Sequence, residues 1–156
     1  MNGIIKRIGG WIAAALTTVI IGVAFQTQNV LARLNGIGAD VGLADRLSMT
    51  GYDIFYLGKP YFVFIGIALA IAFLAGGLVY RLAKFGRPMI YTVAGAIAIL
   101  VLLFAMKTQF FGTHIIAGAR DGIGISLQML AGALGGFVFA TVSRPKDKAF
   151  MENIAG

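Results

Sequence analysis

The charged residues of this 156-residue chain leave four long gaps. Residues 8–32 form an uncharged run of 25 between Arg7 and Arg33. Residues 60–80, 88–106 and 122–143 form three more, of 21, 19 and 22 residues. A helix that crosses a bilayer needs about 20 mainly apolar residues, because each adds about 1.5 Å across a hydrocarbon core of about 30 Å. All four runs meet that requirement. One such run could be a buried core helix. Four leave too little polar chain to cover them in water, with 12% of residues charged and 59% hydrophobic. The sequence therefore predicts an all-α integral membrane four-helix bundle, one transmembrane domain over 1–156. Its expected spans are about 8–28, 60–80, 88–106 and 122–143.

The first run also fits a secretory signal, since Lys6 and Arg7 precede it and Gly22-Val23-Ala24 offers a weak cleavage site. It exceeds the usual apolar stretch of such signals, about 7–15 residues. It is read as a retained first span.

Lys and Arg orient the spans. Eight of the 13 fall in the N-terminus, the 81–87 link and the tail, and five in the other two connections. The positive-inside rule then places both termini in the cytoplasm, and the expected location is a bacterial inner membrane. The same basic residues account for the net charge of +7. They sit beside span ends, where they meet anionic lipid headgroups, the first expected partner. No basic stripe with interleaved aromatics is present, so nucleic acid is not an expected partner.

The external connection 29–59 is too long for bare loop. Asp40 is a candidate cap for a short amphipathic helix, with Val41, Leu43, Ala44 and Leu47 on one side and Asp45 and Arg46 on the other. That helix is expected to lie on the bilayer surface. Pro60 and Pro88 suit the openings of the second and third spans. The short 81–87 link makes those two spans an antiparallel hairpin. The external segment 107–121 is too short to span.

Helices in lipid associate through small residues and interhelical hydrogen bonds. Gly10, Ala14, Thr18, Gly22 and Gln26 recur every four residues in the first span, and Gly124, Gln128, Gly132 and Gly136 in the fourth. These faces predict close antiparallel packing of the two spans. The same faces could instead meet other chains.

No ionisable residue lies within the four spans, and such residues mark proton relays, ion paths and substrate sites. His114 is the only histidine and cysteine is absent, so neither a metal site nor a cofactor is expected. Ser126 lacks the surrounding motif of a membrane serine protease. The chain is read as non-catalytic. The remaining polar candidates are His114, Arg120 and Asp121, among Gly118 and Gly122. They could hold a headgroup, a quinone ring or a partner loop. The plainer reading is that Arg120 and Asp121 cap the fourth span. The expected function is an accessory or structural subunit of a larger membrane assembly, with other subunits or self-association as partners. The alternatives are a small oligomeric transporter or channel, and a lipid- or quinone-binding protein using residues 108–122.

Overall fold

The computed structural model describes residues 2–84, 86–109 and 122–144. Five helices make up almost all of the described chain: α1 (Asn2–Gly36), α2 (Leu43–Tyr56), α3 (Gly58–Ala83), α4 (Arg87–Gln109) and α5 (Gly122–Val142). Four of them, α1, α3, α4 and α5, are long and apolar enough to cross a membrane.

These four form a ring in which α1 touches α3, α3 touches α4, α4 touches α5, and α5 returns to α1. Neighbours run antiparallel. Gly10 faces Ser143 while Gly22 faces Gln128, so numbers rise in α1 as they fall in α5. The interior is built from Ala14, Ala15, Ile65, Leu69, Ile99 and Ala140, each with no exposure to solvent. Phe73, Tyr91 and Phe139 join α3, α4 and α5, with the Phe73 and Phe139 rings stacked at 4.2 Å. The outer surface is as apolar as the inside: Leu74 is 74% and Leu82 86% exposed.

The closest helix contact is between α4 and α5. A Cβ added to Gly136 would lie 2.7 Å from the Tyr91 carbonyl carbon, and one on Gly95 would lie 3.0 Å from that of Gly132. Only glycine lets two backbones meet at this range. Gly132 and Gly136 therefore serve α4, not α1 as the four-residue spacing suggested. The α1 contact is made by their neighbours on the adjoining strip. A Cβ on Gly135 would lie 2.8 Å from the Ala14 carbonyl oxygen, and Ala131 lies beside Gly22.

Two further expectations change. The first helix does not stop near residue 28 but runs to Gly36, and within the polar run Gln26–Asn29 both Thr27 and Gln28 find partners on α2. It ends where Gly38 takes a positive φ of 93°. Asp40 does not cap α2; the cap position is Gly42, with no side-chain cap bond. The amphipathic helix expected in the 29–59 connection is present as α2; it returns along α1 and continues almost directly into α3.

The α2–α3 joint is one residue wide. Leu57 keeps a right-handed helical backbone, its N–H donates to Asp53 O at 2.8 Å, and its carbonyl accepts from Tyr61 N–H at 3.1 Å. Pro60 has no N–H to give the Tyr56 carbonyl, and its ring crowds that oxygen. The break thus falls in the turn preceding Pro60, with Pro60 inside the first turn of α3 rather than at its opening residue. Pro88 follows Arg87 in the first turn of α4.

Candidate functional site

Polar side chains gather in three places. The first is the bundle interior. Gln128 is almost fully buried, its amide N–H donates to Gly22 O at 2.8 Å, and its Oε1 accepts from the Tyr61 hydroxyl at 2.8 Å. This one side chain ties α5 to α1 and α3. Thr18, also buried, donates to Ala14 O one turn earlier in α1 at 2.9 Å. Trp11 adds a clasp between α1 and α3, its indole N–H donating to Gly66 O at 3.0 Å.

The second is the end of the bundle near the α5 C-terminus. Arg87 donates to Ala140 O at 2.9 Å, to Ser143 O at 3.0 Å and to Ser143 Oγ at 2.8 Å. Its guanidinium stands 5.4 Å from the centre of the Tyr91 ring. The last carbonyls of a helix lack partners within the helix, and a planar cation from the neighbouring helix supplies them here.

The third is the α1–α2 hairpin at the opposite end. The inner face of α2 is polar: Arg46, Thr50 and Asp53 are half-buried, spaced by four and three residues, with Ile54 beside them. The Thr27 hydroxyl lies 2.7 Å from Asp53 Oδ2 and donates to it. Gln28 donates to Thr50 Oγ1 and accepts from Arg46, both at 3.0 Å. The outer face is mainly apolar. Leu43, Leu47, Met49, Tyr52, Phe55 and Tyr56 are all exposed, with Asp45 and Ser48 among them, and α2 buries no residue fully. Tyr52 and Tyr56 stack at 4.2 Å, and Lys59 Nζ sits 4.3 Å from the centre of the Phe55 ring. A groove of about 490 Å³ opens between α1 and α2, lined by residues that include Gln26, Val30, Leu34, Met49 and Tyr52.

Of the expected site residues, His114, Gly118, Arg120 and Asp121 lie outside the described residues. Gly122 opens α5, with nothing among the described residues within 4 Å of an added Cβ. Gly10, Ala14, Thr18, Gly22 and Gln128 meet between α1 and α5 or line that contact, while Gly132 and Gly136 meet α4. Among the described residues no cluster of three or more His, Cys, Asp or Glu could hold a metal ion.

Sequence reasoning missed Arg87, Gly95, Tyr61 and the Thr27–Asp53 pair. The α2 pattern was visible, since Arg46, Thr50, Asp53 and Ile54 share one helical face. Its direction was not, because a polar face is ordinarily assigned to water. Comparison with protein-family models, curated proteins and solved structures finds no match to this chain.

Proposed function

We propose that this is an integral membrane protein acting as a non-catalytic accessory or structural subunit of a larger membrane assembly, with the α1–α2 hairpin as its docking element. Helices α1, α3, α4 and α5 are the spans, and both termini face the cytoplasm of a bacterial inner membrane.

The observation that carries the reading is the inside-out polarity of α2. Arg46, Thr50 and Asp53 are spent on α1, and its leucines and aromatics face outward beside Asp45 and Ser48. At 35 residues, α1 is about 52 Å long. A bilayer with headgroups measures about 40–45 Å. Part of the α1–α2 end therefore reaches past the headgroups, where an exposed apolar face calls for a polypeptide partner. The stacked Tyr52 and Tyr56, with Phe55 and Lys59, suit the headgroup level. A conducting path within one chain gains no support from the interior, where Thr18, Tyr61 and Gln128 bond to one another or to helix carbonyls.

Purification from native membranes in mild detergent, followed by mass determination, tests the reading. The expected particle holds this chain and at least one other polypeptide in fixed ratio, and Leu47→Glu releases the partner while the bundle stays folded. A particle built only of this chain, or one that keeps its partner in Leu47→Glu, contradicts it.

A further inference from the structure

The groove between α1 and α2 has a volume of about 490 Å³, within the range of small-molecule sites, about 300–1,000 Å³. Such sites are mainly apolar, with a few convergent polar groups that fix the ligand. Val30, Leu31 and Leu34 of α1, with Met49 and Tyr52 of α2, supply the apolar walls. Gln26, Thr27, Ser48 and Asp53 complete the lining, and among the described lining residues Asp53 alone is charged. From Gln26 to Leu34 the groove follows eight helical steps of α1, about 12 Å.

Asp53 is half-buried. An ionised carboxylate has about four acceptor sites. Among the described residues its one donor is the Thr27 hydroxyl, at 2.7 Å, whose single proton is also within reach of Val23 O at 3.0 Å. Arg46, the basic residue of the same helix face, donates instead to Gln28 Oε1. The groove thus carries a negative charge that a neutral donor does not balance, and a half-buried charge is stabilised most by an opposite charge that also bonds to it. The charge sits beside Thr27, at the end nearest the bundle, and the apolar walls continue outward to Leu34, two residues before α1 ends. A membrane lipid has the reverse order: with its headgroup at Asp53, its chain would point away from the bilayer. We propose that the α1–α2 groove binds a small organic cation, with its ammonium group at Asp53 and its apolar body between Leu34 and Met49. The exclusion of lipid rests on the membrane reading of the preceding section, but the site does not rest on the docking role of α2.

The test is equilibrium dialysis of phenylbutylammonium against the full chain in phosphatidylcholine nanodiscs, with empty discs subtracted and neutral phenylbutanol as the comparison. One amine per chain should bind saturably, about tenfold tighter than the alcohol, the order expected for a charged over a neutral hydrogen bond. Asp53→Asn keeps an oxygen for the Thr27 hydroxyl but removes the charge. It should lower amine affinity about tenfold and leave that of the alcohol unchanged. Asp45→Asn, at an exposed acid of α2 outside the lining, should bind the amine as the wild type does. Val30→Phe fills the groove and should weaken both ligands. Equal affinity for amine and alcohol in the wild type, or wild-type amine affinity in Asp53→Asn, overturns the site. If the wild type shows no saturable amine binding while Asp53→Asn releases a polypeptide from the native particle, the carboxylate serves a partner's basic side chain and the small-molecule site is overturned.

Discussion

Gln128 is 1% exposed, yet each end of its amide is engaged, one with a tyrosine of α3 and the other with a helix carbonyl of α1. Gly22 makes room for it: a Cβ there would lie 2.9 Å from Gln128 Oε1. Gln128→Leu strands the Tyr61 hydroxyl, whereas Gly22 O keeps its place in the α1 ladder. We expect Gln128→Leu to cost about 1–2 kcal/mol in a mixed-micelle unfolding titration, within the range for interhelical bonds and orphaned hydroxyls. Adding Tyr61→Phe should recover part of the loss, because removing both partners leaves nothing unpaired. A double variant as unstable as the sum of the singles would show that the pair is not coupled. At Arg87 the guanidinium fork reaches two carbonyls and a hydroxyl. Arg87→Lys keeps the charge but not the fork. It should lower stability by about 1 kcal/mol in the same titration. The presence of Gln128 on a small-residue face was legible in the sequence. Its bond to Tyr61, 67 positions away, was not, since nothing local in either helix records which rotation brings the two together.

At the scale of elements, the four spans and their order follow from the charge gaps, because bilayer thickness sets helix length before any packing is considered. The small-residue faces were also legible, and the antiparallel contact they predicted between the first and fourth spans is present, but the second partner of the fourth-span face, α4, was not legible. A helix carrying Gly132, Ala131, Gly135 and Gly136 has a flat strip wide enough for two neighbours, and the structure uses it for both α1 and α4. Gly136→Leu should push α4 from α5 and cost about 1–3 kcal/mol, the usual range for overpacking. Gly122→Leu, which meets nothing among the described residues, should change stability little. Comparing the two in one unfolding series checks the assignment. The α2 helix illustrates the opposite case. Its amphipathic pattern was plain, yet the polar face turned inward because Thr27 and Gln28 on α1 offer it hydrogen bonds. Asp53→Ala with Thr27→Val should loosen α2 from α1. Tryptic cleavage at Arg46 should then be faster than in the wild type, while the spans stay protected. Unchanged cleavage would mean that the hairpin is held by Ile54 and the α2–α3 joint instead.

At the scale of the whole molecule, six of the ten described Lys and Arg lie at the α3–α4 end, and the three described acids lie at the α1–α2 end. The positive-inside rule turns that asymmetry into the orientation proposed above. The natural absence of cysteine makes the orientation easy to measure. Ala39→Cys, in the exposed turn between α1 and α2, should react with an impermeant maleimide added outside intact cells. Lys84→Cys should react only after permeabilisation. The docking role proposed for α2 is central, and photo-crosslinking in the native membrane tests it most directly. A photoreactive amino acid placed at Leu47, on the outward face of α2, should yield one discrete polypeptide adduct beyond the mass of this chain. Adducts with lipid alone, or none, would contradict the account.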